Sequence, residues 1–502
     1  MAPKSPETSR YTETERKFEV VESTVSPSFE GLSSVARIER SPSQSLAAVY
    51  FDTPDRDLAR NKITLRRRTG GTDAGWHLKL PAGADTRTEV HAPLEGDAAQ
   101  VPESLRDVVL AIVRDRPLAP VARINTTRIV ELLYGPDGAP LAEFCDDQVT
   151  ASAEGGEEQF WREWELELKP GTDTAVFDRL TNRLLDAGAV PAGHGSKLAR
   201  VLATSTPESE ESPGTAPTES TDTARRAVAQ HVAELIEWDR AVRSDVWDSV
   251  HQMRVTTRKI RSLLQSSEGS FDIADHEWIL DELRELAAVL GVARDAEVLA
   301  ERYERAIDAL PESNVRGPVR ERLVEGAKKR YQMGWKRSLT AMRSQRYFRL
   351  LDALEALVAS DPAPSATGEE PAQLTIDSAY KRVRKAAKAA RTAAEDPDVS
   401  VEDSNEALHR IRKRAKALRY TAAATGETKV ADRAKAIQSL LGDHQDSVVS
   451  RTHLSRQAEV AHAAGEDTFT YGLLHQLEDD LARRCEEQIE DALKALDKSV
   501  KS

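Results

Sequence analysis

Two patterns of apolar and polar positions divide this chain. Up to about residue 203 the dominant period is two. In Glu163-Trp-Glu-Leu-Glu-Leu-Lys169, Trp164, Leu166 and Leu168 alternate with Glu163, Glu165, Glu167 and Lys169. Side chains of a strand alternate faces, so this stretch reads as a strand with one packed and one charged face. The same reading predicts strands over 11–21, 46–52, 62–69, 75–80, 87–95, 121–133, 140–150 and 160–169. Helical spacing breaks in at 102–115, with Leu105, Val108, Val109, Ile112 and Val113, and again from Ala175 to Ala187. Runs of strands without a βαβ rhythm predict an antiparallel barrel rather than a parallel sheet.

From residue 224 to 498 the period lengthens to 3.6, and Ala, Leu, Glu, Arg and Lys dominate. This half is predicted to be all-α. Between the halves, Thr204 to Thr223 holds Pro, Ser, Thr and acids with no aromatic residue, Lys or Arg. Such a stretch cannot bury a core and is predicted to be a flexible tether. The expected division is 9–203, a linker at 204–223, and 224–498. The Pro-rich stretch Ser360 to Pro371 splits the last part into halves of about 224–358 and 372–498.

The charged faces carry the candidate chemistry. In Glu13-Thr-Glu-Arg-Lys17 a strand puts Glu13, Glu15 and Lys17 on one side. Two carboxylates about 7 Å apart on one face repel by roughly 2 kcal/mol at an effective dielectric near 20. A divalent cation between them reverses the sign. Glu163, Glu165 and Glu167 repeat the arrangement, and Glu143 and Asp147 add to it. Basic positions lie between the acidic strands: Arg66 and Arg68 together, then Lys79, Arg87, Arg123, Arg128 and Lys197. A solvated face gains little from such pairs. Turned inward, these faces would line a barrel with cations for a polyanion and carboxylates for its metal.

These segments resemble a known family. Glu13-Thr-Glu-Arg-Lys17, Tyr50-Phe-Asp-Thr53, Leu65-Arg-Arg-Arg68, Trp76-His-Leu-Lys-Leu-Pro81, Glu163 to Lys169 and Ser196-Lys197 resemble the CYTH domain of the triphosphate tunnel metalloenzyme superfamily. The resemblance covers about residues 9–203. It implies an eight-stranded antiparallel tunnel that binds a triphosphate with Mg²⁺ or Mn²⁺. It implies metal and water ligands at Glu13, Glu15, Glu165, Glu167 and Asp147, with Asp146 as the alternative to Asp147. It implies phosphate contacts at Lys17, Arg66, Arg68, Lys79, Arg123, Arg128 and Lys197.

The helical half repeats itself. His251, Arg254, Arg258 and Arg261 recur as His409, Arg412, Lys416 and Arg419 at the same spacing. At 3.6 residues per turn these four positions fall within about 80° and span about 15 Å of one helix face. Like charges at this spacing destabilise a bare helix by a few tenths of a kcal/mol per pair, which points to a compensating anion. Lys413 and Tyr420 flank the second stripe. Val250-His-Gln-Met-Arg-Val255, Leu290-Gly-Val-Ala-Arg-Asp295, Leu408-His-Arg-Ile-Arg412, Lys416-Ala-Leu-Arg-Tyr420 and Leu440-Leu-Gly-Asp-His-Gln-Asp446 resemble the CHAD domain, the conserved-histidine α-helical domain. The resemblance implies helical bundles around a basic cleft for inorganic polyphosphate, and CYTH–CHAD fusions in this order.

Bulk properties narrow the picture. The chain has 502 residues, enough for two to four domains. Its net charge of −14 argues against a specific nucleic-acid partner but not against a focused polyanion site. No run of eighteen apolar residues predicts a membrane span. Met1-Ala-Pro-Lys-Ser lacks an apolar signal core, and two distant cysteines form no disulfide framework. The expectation is a cytoplasmic, Mg²⁺- or Mn²⁺-dependent hydrolase of inorganic triphosphate or a related triphosphate that also binds polyphosphate, with association with polyphosphate granules as a further option. The alternatives are a non-catalytic polyphosphate-binding or granule-targeting protein and an adenylate cyclase of class IV type.

Overall fold

The structure is a computed structural model that describes residues 9–95, 97, 99–204, 223–266, 276–359 and 375–501. Its strands are β1 (Ser9–Val20), β2 (Arg37–Arg40), β3 (Gln44–Asp52), β4 (Thr64–Thr69), β5 (Gly75–Pro81), β6 (Thr86–Ala92), β7 (Ala119–Tyr134), β8 (Pro140–Ala153), β9 (Gln159–Leu168) and β10 (Val190–Pro191). Eight of them close into a ring in the order β1-β6-β5-β4-β3-β7-β8-β9, and β9 pairs back onto β1. Every pairing in the ring is antiparallel, as the absence of a βαβ rhythm predicts. The two short strands, β2 on β7 and β10 on β1, escape a periodicity reading because they are too brief to alternate.

The ring sorts residues as period two requires. Outward from β1, β8 and β9, Phe18, Phe144, Trp164 and Leu166 are buried. The helix Thr174–Asp186 covers them with Phe177, Leu180 and Leu184. Each such side chain contributes about 1.5–3 kcal/mol by leaving water. Inward, one end of the ring is apolar. There the helix Lys197–Thr204 packs Leu198, Val201 and Leu202 against Ala48, Ala122, Ile124, Val149 and Ala151. The remaining inward positions are charged.

The predicted helix over 102–115 is two pieces, Glu103–Val108 and Leu110–Val113. Val109 leaves helical geometry at φ −110° and ψ 9°, and Arg114 ends the second piece at φ 57°. Asp52 explains part of the Tyr50-Phe-Asp-Thr motif. Its buried carboxylate accepts from the backbone N–H groups of Thr53, Leu58 and Ala59 and so anchors the turn after β3.

The chain forms two compact units. The first unit joins the barrel, among the described residues, to 223–265, 276–283 and 342–359. Within it, helices Thr223–Arg243 and Gln345–Ala359 meet the 103–116 segment through ions. Asp107 accepts from Arg343, and Arg114 reaches Asp352 and Glu355 at 3.3 and 2.7 Å. Asp239 is fully buried and receives both Arg243 and the Tyr347 hydroxyl. Residues 205–222, which include most of the expected linker, and 360–374, which include the Pro-rich divider, lie outside the described residues.

The second unit holds, of the described residues, 266, 284–341 and 375–501. Its helices include Ile376–Glu395, Val401–Ala424, Thr428–Ala463 and Phe469–Lys501. Val383, Ala407, Ile411, Ala415, Leu418, Ile437 and Leu441 form the buried seam between the first three of these. Gly334 lets its helix approach another closely, since a Cβ there would lie 2.7 Å from the Ala293 nitrogen.

Candidate functional site

The charged interior of the barrel encloses a cavity of about 410 Å³. Register fixes its rungs. Glu15 lies opposite Glu167, which lies opposite Glu143; Lys17 lies opposite Glu165, and Arg128 opposite Asp147. On the other wall, Lys79 lies opposite Glu89, and Arg66 opposite His77. Three carboxylates face one another along the first of these rungs, so cations from elsewhere must fill the gaps.

Lys197 fills one such gap, among the neighbouring carboxylates. It opens the helix Lys197–Thr204, whose apolar side is seated in the barrel end, and this seat aims its ammonium inward. Its Nζ lies 2.9 Å from Asp147, 2.6 Å from Glu163 and 2.8 Å from Glu165. Arg128 adds two contacts of 2.6 Å, to Asp147 and Glu165. Lys17 bridges Glu15 at 2.8 Å and Glu165 at 2.7 Å. Lys79 holds Glu13 and lies 3.3 Å from Glu89. Lys169 joins Glu143 and Glu167 at 2.8 and 3.1 Å.

These pairs set the protonation states. Burial raises the carboxyls of Glu165 and Asp147, but Lys197, Arg128 and, for Glu165, Lys17 outweigh it and hold both below the usual range. Glu15 comes down to about 2 against burial, through Lys17 and Lys79. Glu13 differs. Burial, with Glu89 and Glu15 nearby, overcomes Lys79 and pushes it up to about 7. Burial together with Arg66 and Arg128 lowers Arg68 to about 10. Such crowding of cations favours an anionic ligand.

Most of the residues named from sequence meet in this cavity. Glu13, Glu15, Lys17, Arg66, Arg68, Lys79, Arg128, Glu165, Glu167 and Lys197 line it, and Asp147 lies buried behind Arg128 and Lys197. Arg123 does not join them. It is exposed between the buried Ala122 and Ile124, on the outer face of β7. Asp146 also faces outward, where it receives Arg162 and Ser26. Glu163 belongs to the carboxylate cage, although the sequence places it only on a charged face. Glu89 escapes the sequence reading altogether; its signal is Arg87-Thr-Glu89, two charges on one strand face. Tyr50 accepts from Arg66 at 3.4 Å.

The carboxylate oxygens of Asp147, Glu163 and Glu165 lie within 4.8 Å of one another. Three hard oxygen donors around one position suit a divalent cation, and the Lys197 ammonium stands among them.

Comparison with known proteins agrees with this geometry. The CYTH domain model matches residues 12–200, and the CHAD domain model matches residues 226–455. A Mycobacterium tuberculosis protein, MT2285 of strain CDC 1551 / Oshkosh, is 62% identical over 515 aligned positions, covering 100% of this chain and 99% of its own. The chain belongs to the CYTH–CHAD proteins. CYTH tunnels are metal-dependent and bind triphosphates, and their members are typically triphosphatases or cyclases. CHAD domains are associated with polyphosphate binding. Among solved structures, PptA from Streptomyces chartreusis is 19% identical with a TM-score of 0.44, covering 54% of this chain and 98% of its own. The CHAD domain from the plant Ricinus communis is 21% identical with a TM-score of 0.38, covering 54% and 90%.

The two CHAD stripes lie in different compact units. In the first, the helix Ser249–Ser266 buries Val250, Met253, Ile260 and Leu264, and along one flank of that buried face run the half-buried His251, Arg254 and Arg261 and the exposed Arg258. In the second, Val401–Ala424 buries Ala407, Ile411, Ala415 and Leu418. His409, Arg412, Lys416 and Arg419 run beside that seam. Lys416 and Arg419 lean on the Tyr420 ring, at 5.9 and 5.4 Å, and Lys413 is exposed. The Nδ1 of His409 and the Nε of Arg412 are buried without a hydrogen-bond partner among the described residues. The basic face of Ile376–Glu395, with Lys381, Arg382, Lys385 and Lys388, is exposed. Among the described residues no helix is long and apolar enough to cross a membrane.

Proposed function

We propose that the CYTH tunnel hydrolyses inorganic triphosphate, or a related triphosphate, with Mg²⁺ or Mn²⁺, and that the CHAD domain binds inorganic polyphosphate. One observation carries the first part. A single cavity is lined by Arg66, Arg68 and Lys79 together with Glu165, and Asp147 and Glu163, buried behind that lining, complete a carboxylate cage with Glu165.

Each residue then has a role. Arg66, Arg68, Lys79, Arg128, Lys17 and Lys197 neutralise the phosphate chain and hold it along the tunnel. Asp147, Glu163 and Glu165, with Glu13, Glu15 and Glu167 around them, would hold the metal. A bound divalent cation supplies charge neutralisation on phosphate oxygens and a water of lowered pKa. Glu13, whose carboxyl burial raises to about 7, is the carboxylate suited to take a proton from water as it attacks the terminal phosphorus in line. The P–O bond to the leaving diphosphate breaks, and the leaving oxygen's charge falls to the cations opposite. Burial pushes the Cys145 thiol well up, so it offers no thiolate for a covalent route.

The second part rests on the buried ring nitrogen of His409 and the buried Nε of Arg412, which have no hydrogen-bond partner among the described residues. Buried polar groups are ordinarily satisfied, and a phosphate oxygen is a suitable acceptor. The test is a panel of inorganic triphosphate, ATP, thiamine triphosphate and long-chain polyphosphate, each with Mg²⁺ and with Mn²⁺. Phosphate release from triphosphate, lost in Glu165→Ala, is the expected result. Equal turnover in Glu15→Ala, Glu165→Ala and the parent would remove the mechanism, and cyclic AMP from ATP would favour a cyclase.

A further inference from the structure

His77 is fully buried on β5, one layer beneath the cavity lining. Its two ring nitrogens are both engaged. Nδ1 meets Oε1 of Glu89, and Nε2 lies 2.9 Å from the backbone carbonyl of Asp73. The other Glu89 oxygen lies 3.3 Å from Lys79 Nζ, and the Asp73 carboxylate pairs with Arg68. His91 packs its ring edge against His77 at 4.9 Å. Gly75 is what admits His91, because a Cβ there would fall 2.0 Å from its Nε2.

We propose that His77 is a positioning residue for the phosphate-binding wall, aiming Lys79 through Glu89 and Arg68 through the turn at Asp73. The proposal rests on the tunnel reading above and extends it to a residue beneath the substrate. A carbonyl and a carboxylate are both acceptors, so the contacts need a hydrogen at each nitrogen. The Nε2 hydrogen goes to Asp73. One further proton therefore lies between Nδ1 and Glu89, whether the pair is written as imidazolium with carboxylate or imidazole with carboxylic acid. Burial, with the guanidinium groups of Arg66 and Arg68, outweighs the Glu89 carboxylate, which favours charge on the ring, and lowers the ring to about 4. Held this way, Glu89 keeps one oxygen on His77 and points the other at Lys79. A free Glu89 would swing onto Lys79 with both oxygens and draw the ammonium from the substrate path.

The test uses the full-length protein and three variants. His77→Asn keeps a donor toward Glu89, His77→Gln keeps one toward the Asp73 carbonyl, and His77→Ala keeps neither. His77→Ala is expected to raise KM for inorganic triphosphate about tenfold while kcat changes less than about twofold. His77→Asn should recover most of that rise, and His77→Gln a smaller part. Nitrogen-15 NMR of the parent should show a far-downfield proton on the His77–Glu89 pair, lost in Glu89→Gln. An unchanged KM in a folded His77→Ala, equal losses in the Ala and Asn variants, or a spectrum without that proton would overturn the proposal. A parent protein without triphosphate turnover would refute the tunnel reading instead, and the nitrogen spectrum would still decide the proton.

Discussion

Lys197 Nζ lies 2.6 Å from Glu163 Oε1, and both side chains are more than nine-tenths buried. The ammonium is shared with Asp147 and Glu165, so three carboxylates draw on one lysine. A buried charge without its partner costs about 3–5 kcal/mol. Lys197→Met should therefore lower the melting temperature of the protein in chelator. Added Mg²⁺ or Mn²⁺ should restore much of the loss, because the cage would then hold a metal without a competitor. Melting curves with and without metal check this; a variant as stable as the parent in chelator contradicts it.

Glu165 receives Lys17, Arg128 and Lys197 at once. Glu165→Gln keeps the shape and removes the charge. Turnover of triphosphate should fall at least ~100-fold, with the fall not recovered by raising metal concentration. Steady-state kinetics over a metal titration decides it. Full recovery at high metal would limit Glu165 to metal affinity.

Glu13 gives a pH signature with a definite sign. Its carboxyl is raised from 4.5 to about 7 in the fold, so the folded state holds this proton more tightly than the unfolded chain. Its contribution is complete below about pH 4.5 and is lost as pH rises through about 7. Metal-free protein should lose up to roughly 3 kcal/mol from this group between about pH 5 and pH 8. Glu13→Gln should flatten that part of the curve. Paired melting curves in chelator across that range provide the check, and parallel curves would contradict it.

His409 Nδ1 and Arg412 Nε are buried without protein partners among the described residues. Arg412→Glu combined with Arg419→Glu should weaken binding of long-chain polyphosphate by at least ~10-fold. It should also reduce the dependence of affinity on salt, because exposed and half-exposed charges are screened by ions. Arg254→Glu with Arg258→Glu tests the first stripe in the same way. Calorimetric titrations at low and high salt measure both. Undiminished binding in both double variants would remove the stripes as the polyphosphate contact.

The sequence by itself determined which side chains share a face. Period two is a property of extended backbone, so Glu13 with Glu15 and Lys17, and Glu163 with Glu165 and Glu167, were legible before any fold was known. The helical period likewise gave the two His-led stripes. The same rule also separates Arg123 from Arg128: an odd spacing of five puts them on opposite faces of β7, and only Arg128 turns inward. Closure of the ring decided the rest. Which cation meets which carboxylate depends on β1 pairing with both β6 and β9, and on a helix after residue 196 delivering Lys197 into the barrel. Those contacts join residues far apart in the chain, and local spacing carries no information about them. The same is true of the compact units, where Asp107, Arg114, Arg343 and Glu355 join the barrel to helices beyond the linker. Local periodicity chose the faces; long-range packing chose the partners.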